Sequence, residues 1–184
     1  MKRSIIILFF VLCVLCVAKQ SESYKILAII ATASYSHQIP FRRLWLELYN
    51  RGHEILLITT NPMPNITSSN FTQIDVSQSY KSFRELNLVE MKFSGDSWLQ
   101  IMEKYSISVS LDSVENIFNN TEFKKVYARD SDAKFDILMT ELLYMPGVVG
   151  LAHRFDVPII GTSLLHIIRV IRGRSSIRTV TNKT

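Results

Sequence analysis

Cysteine is almost missing from this chain: there are two in 184 residues, Cys13 and Cys16, both inside the N-terminal apolar run. If that run is removed, the remaining domain has no disulfide, no thiolate nucleophile and no cysteine metal ligand, and it must be held by packing alone. Glycine is also sparse, at six. No G-x-G-x-x-G follows the first apolar run and no G-x-x-x-x-G-K-[ST] occurs, so dinucleotide and P-loop phosphate binding have no support. A G-x-S-x-G nucleophile elbow is missing as well. The four histidines, His37, His53, His153 and His166, are too scattered to suggest a zinc site. There is no basic face with interleaved aromatics, which excludes a nucleic-acid partner.

The N-terminus has the form of a secretory signal peptide, residues 1–18. Lys2 and Arg3 precede an unbroken apolar stretch from Ile5 to Ala18, and "AKQSES" follows. The run is short for a membrane span. Cleavage after Ala18 is expected, with Ser23 as the alternative site and a retained signal anchor as the other reading. Losing Lys2 and Arg3 from 21 basic residues leaves 19 against 16 acidic ones. The surplus is concentrated at the end, where Arg169, Arg172, Arg174, Arg178 and Lys183 have no acid among them. Residues 166–184 therefore read as a basic, disordered tail behind a near-neutral domain, residues 19–165. Asn65, Asn70, Asn119 and Asn182 each begin an N-x-[ST] sequon. Two of these lie within eight residues of polar loop, which fits glycosylation in the endoplasmic reticulum lumen.

"YKILAIIA" (24–31) reads as a strand buried on both faces. Phe41, Leu44, Trp45 and Leu48 make one helical stripe, with Ser36 as a candidate cap and Arg51-Gly52 as the stop. "HEILLITT" (53–60) is a second strand, and "NPMPNITSSN" is a surface loop. "FTQIDV" reads as a third strand, and helices are expected over 96–105 and 111–128, with Phe118 and Val126 facing inward. "FDILMTEL", "MPGVVGLAHRF" and "VPIIGTSLL" then read as strand, helix and strand. The pattern predicts an α/β domain with a mainly parallel, Rossmann-like sheet.

His37 follows the first strand at its carboxyl end, where open α/β sheets bind ligands. Ala31, Thr32, Ala33 and Ser34 leave room beside it. An imidazole titrates near neutral pH and can take a proton from an attacking hydroxyl. Position alone favours the other reading, a solvated loop histidine. Glu141 ends another strand at the same sheet edge, where a carboxylate could fix the imidazole tautomer. The other reading makes it a helix-start glutamate favoured by the dipole. Asp136 sits at the opposite end of its strand, with Lys134 or Arg154 as expected partners, and His53 and His153 read as structural.

Those stretches, "YKILAIIATASYSHQIPFRRLWLELYNRGHEILLITTNP" and "FDILMTELLYMPGVVGLAHRFDVPIIGTS", resemble the N-terminal half of family 1 UDP-glycosyltransferases. The likeness is to the animal, especially insect, microsomal type that includes the UDP-glucuronosyltransferases, and it runs over residues 24–165. The resemblance implies the N-terminal, acceptor-binding domain of a GT-B fold. It makes His37 the general base for inverting displacement of UDP by an acceptor hydroxyl. Glu141 falls where many relatives carry an orienting aspartate. The helical middle would line a pocket for a small lipophilic acceptor, with Phe93, Trp98 and Phe118 as its aromatic wall. The resemblance also implies a UDP-sugar as co-substrate, no cofactor bound by this chain, and a role in conjugating small hydrophobic molecules.

The family's donor-binding signature and C-terminal membrane span occur nowhere in the 184 residues. The expectation is accordingly a fragment inactive by itself, whose UDP-sugar would be held by a C-terminal domain not in this sequence. The competing reading is a non-catalytic luminal protein that binds lipophiles or associates with full-length relatives.

Overall fold

The computed structural model describes residues 22–66, 68–85, 93, 95–141, 146–162, 169–172 and 176–179; of these, residues 82, 83, 102, 105, 106, 146, 169–172 and 176–179 are described by backbone alone. The expected signal peptide and the sequon at Asn182 lie outside the described residues. Five parallel strands form the sheet's body: β1 (Lys25–Ile30), β2 (Glu54–Thr59), β3 (Phe71–Asp75), β4 (Ile137–Glu141) and β5 (Ile159–Thr162). The spatial order is β3-β2-β1-β4-β5, followed by β6 (Arg169–Arg172) and β7 (Ser176–Thr179). This is the α/β, Rossmann-like arrangement that the run of apolar segments predicts.

Both faces of the sheet are covered, which is why its central strands are apolar without alternation. Along β1 the pleat sends Leu27 and Ile29 into one core and Ile26, Ala28 and Ile30 into the other. Helix α1 (Tyr35–Asn50) covers the second face with Phe41 and Trp45, while Leu44 and Leu48 pack at its edge. The first face is covered by α3 (Trp98–Asn119), α4 (Thr121–Tyr127) and α5 (Gly150–Phe155), through Ile117, Phe123 and Leu151. A short α2 (Ser79–Glu85) precedes α3, and a 3-10 turn (Pro146–Val149) leads into α5.

Local chemistry sets most of the boundaries. Helix α1 ends where the Arg51 N–H reaches the Glu47 carbonyl at 3.0 Å, and Gly52 then turns at φ +90°. Such a left-handed position is strained for any residue with a Cβ. Ser97 starts α3 with a capping box, its hydroxyl accepting from Gln100 N–H while the Gln100 amide oxygen accepts from Ser97 N–H.

Several expectations are corrected. Ser36 is not the cap of α1: Ser34 holds that position, and its side chain makes no cap hydrogen bond. The helical middle does not break near residue 106. It runs unbroken through "SISVS" to Asn119, because tertiary packing overrides weak local propensity. The break falls at Asn120, whose carbonyl side chain accepts from Glu122 N–H and Phe123 N–H and so restarts the chain as α4. The tail does not stay outside the sheet. Arg169–Arg172 pairs antiparallel with β5 and Ser176–Thr179 pairs with β6. The open edge of β5 offers unpaired N–H and C=O groups, and β-branched pairs in the tail suit a strand there.

Candidate functional site

In this strand order the chain moves to one side from β1 and to the other from β4. Adjacent strands whose connections diverge leave a crevice at their carboxyl ends, where α/β sheets bind ligands. His37 and Glu141 meet there. Glu141 is the last residue of β4, and His37 is the third residue of α1, five positions after Thr32.

The His37 Nδ1 atom lies 3.6 Å from Glu141 Oε1. That is ion-pair distance, longer than a formed hydrogen bond. The imidazole side chain is 29% exposed, so it is open to a ligand, whereas the carboxylate is 1% exposed. Burial pushes the Glu141 carboxyl above its usual range, and the Thr32 hydrogen bond and the nearby His37 oppose that rise. Thr32 Oγ donates to the second carboxylate oxygen, Oε2, at 2.8 Å. Glu141 is thus held from one side by a hydroxyl and faces the imidazole on the other.

Beneath the pair lies a buried polar network that the sequence reading missed. The Gln38 amide N–H₂ donates to the Thr32 carbonyl at 3.0 Å and to the Thr60 hydroxyl, and its oxygen accepts from the Thr59 hydroxyl. Thr60 Oγ donates to the same Thr32 carbonyl at 3.0 Å. Asn61 continues the network outward through its side chain to Tyr80 Oη at 2.9 Å. One signal was available: Gln38 falls on the same inward stripe as Phe41 and Trp45. A polar residue on an apolar stripe has to find partners inside.

The remaining candidates scatter. Phe118 packs into the core, 5.3 Å from the Tyr127 ring and 6.1 Å from the Phe123 ring. Phe93 is 80% exposed and Trp98 70% exposed. Asn65 and Asn70 are exposed in the loop between β2 and β3, and Asn119 is exposed at the end of α3. Asp136 pairs with neither Lys134 nor Arg154: its carboxylate accepts from the Lys25 backbone N–H at 2.6 Å and ties β4 to β1. Arg154 instead donates to the carbonyls of Tyr127 and Ala128. His53 Nδ1 accepts from Tyr24 N–H at 3.1 Å, a structural role. Among the described residues no cluster of three or more His, Cys, Asp or Glu side chains could hold a metal ion.

No family model matches the sequence. The chain is 24% identical over 152 residues to UDP-glycosyltransferase UGT4 of Dactylopius coccus, covering 79% of this chain and 28% of that protein. That similarity supports a UDP-glycosyltransferase relationship. The solved structure of apo UGT2 from Phytolacca americana is similar over 77% of this chain and 30% of its own, with 15% identity and a TM-score of 0.45. The chain spans less than a third of the length of either relative.

Proposed function

We propose that this chain is the acceptor-binding part of a family 1 UDP-glycosyltransferase of the animal, insect-like microsomal type, in the N-terminal half of a GT-B fold. The observation that carries the reading is the His37–Glu141 pair at the crevice between β1 and β4, 3.6 Å apart. In the proposed reaction the acceptor hydroxyl gives its proton to His37 as its oxygen attacks the anomeric carbon of a UDP-sugar. The new C–O bond forms as the bond to the UDP phosphate oxygen breaks, and UDP leaves. Glu141 orients the imidazole and stabilises the imidazolium that results.

A lipophilic hydroxyl compound is the proposed acceptor and a UDP-hexose the proposed co-substrate. The base can act only when that sugar is held beside the acceptor. Turnover is therefore expected from a longer product or a complex that supplies UDP-sugar binding, and not from these 184 residues alone. The secretory pathway, in the endoplasmic reticulum lumen, is the proposed compartment. Among the described residues no helix is long and apolar enough to cross a membrane. The exposed Asn65 and Asn70 sites support glycan addition, to be checked by a mobility shift on endoglycosidase treatment of protein expressed in insect cells.

The test is transfer from UDP-glucose or UDP-glucuronate to 1-naphthol, with and without His37→Ala. A folded variant should lose about 10²–10⁴-fold in kcat. Retention of activity within threefold sinks the base. A second reading, a lipophile-binding partner without catalysis, is favoured by the apolar side chains that α3 exposes: Trp98, Leu99, Ile107 and Leu111. It predicts ligand binding that His37→Ala leaves unchanged, with no transfer in any longer product.

A further inference from the structure

Helix α1 begins without the usual local supports. Its cap residue, Ser34, makes no side-chain cap bond, and there is no acid in the first turn. Pro40 lies inside the helix, so the Ser36 carbonyl has no N–H four residues on to accept from. Yet His37 must be held in this weak first segment at a fixed distance from a carboxylate on another strand. The neighbouring Gln38, 3% exposed, supplies the missing anchorage. Successive helix residues point about 100° apart. Fixing Gln38 against β1 and β2 therefore fixes the rotation of the turn that carries His37.

The same carbonyl that Gln38 grips belongs to Thr32, which also accepts from Ser34 N–H at 2.7 Å and from the Thr60 hydroxyl. With its backbone held from three sides, Thr32 directs its own hydroxyl at Glu141 Oε2. We infer that Thr32 is a positioning residue for the Glu141 carboxylate, and that Gln38 holds Thr32 in place by tying α1 to the ends of β1 and β2. Neither residue touches the reacting atoms in the proposed reaction, and the inference takes its catalytic meaning from that reading.

The Thr32 hydroxyl gives Glu141 a bond that favours the ionised form and leaves Oε1 turned to the imidazole. Around Glu141, β1 contributes no titratable group at this end, β5 places Thr162 beside it, and α1 places His37. Among the described residues His37 is the titratable side chain beside this carboxylate. Without Thr32 the carboxyl would be left with burial alone against the imidazole. It would then be neutral at a higher pH and could no longer stabilise an imidazolium.

The experiment follows the Glu141 carboxyl by ¹³C NMR titration of the selectively labelled 184-residue chain, in the parent, Thr32→Val, Thr32→Ser and Gln38→Met. Thr32→Val keeps the volume and removes the donor, so the Glu141 midpoint should rise by about one pH unit. Thr32→Ser restores the hydroxyl and should return the midpoint to the parent value. Gln38→Met should shift it in the same direction as Thr32→Val. An unmoved midpoint in folded Thr32→Val overturns the inference, as does a Thr32→Ser variant that behaves like Val. If Thr32→Val does not fold, Gln38→Met decides: an unmoved midpoint overturns the inference and a raised one supports it. Because the readout needs no sugar transfer, failure of the functional reading remains separate. Shifts without any transfer by a longer product would leave the clamp standing and remove its role in catalysis.

Discussion

Replacing Gln38 with methionine keeps the length of the side chain and removes its amide from a site that is 3% exposed. The cost can be worked out partner by partner. The Thr32 carbonyl loses one donor but keeps Ser34 N–H and the Thr60 hydroxyl. Thr60 Oγ keeps its bond to Thr32 and its contact from the Asn61 amide at 3.1 Å. Thr59 is hit hardest, because its buried hydroxyl donates to the Gln38 oxygen. Stranding a buried donor costs about 1–3 kcal/mol, and a net hydrogen bond lost elsewhere about 1 kcal/mol. Gln38→Met should therefore destabilise by about 2–3 kcal/mol, or roughly 5–10 °C in Tm at this chain length. Thr59→Val should cost about 1–2 kcal/mol, since it also removes the acceptor of Asn61 N–H at 3.1 Å. Together the two substitutions leave neither stranded partner, so the double variant should cost about 1–2 kcal/mol less than the sum of the singles. Urea unfolding of the four proteins, followed by circular dichroism, measures this cycle. Single-variant effects that add to within about 0.5 kcal/mol would refute the network as drawn.

The other predictions concern the core and the acid. Phe123 is fully buried and lies 5.2 Å from the Tyr127 ring, so Phe123→Ala should cost about 3–5 kcal/mol in the same unfolding assay. A loss below about 1 kcal/mol would mean that α4 does not pack on the sheet as described. Glu141 has its carboxyl raised above the ordinary 4.5 of a glutamate mainly by burial. The folded state then keeps a proton that the unfolded chain has already lost. This contribution to stability is full below pH 4.5 and is lost as pH rises through the folded midpoint. Glu141→Gln removes that slope, and urea midpoints of parent and variant that stay parallel from pH 4 to pH 8 would contradict the burial.

Much of the fold was legible because burial on both faces leaves a plain mark. The apolar stretches around β1, β2, β4 and β5 marked those strands to within two or three residues. The stripe of Phe41, Leu44, Trp45 and Leu48 gave the inner face of α1. Where side chains are small and polar the signal weakened. "SISVS" looked like a gap between two helices but lies inside α3, and the tail's Val170-Ile171 pair belongs to β6, a strand that only the neighbouring edge of β5 could induce.

The candidate site divides in the same way. The sequence by itself determined which residue types stand at the ends of strands: a histidine after the first and a glutamate closing the fourth. It does so because strand and helix periods are local properties of a few adjacent residues. Only the tertiary structure decided that β1 and β4 are neighbours, and so that residues 37 and 141 come within 3.6 Å. It also decided that Gln38, Thr59 and Thr60 are partners and that Asp136 serves a backbone N–H. Strand order and hydrogen-bond partners depend on contacts between residues 21 to 111 positions apart in the chain. Local periodicity carries no record of them.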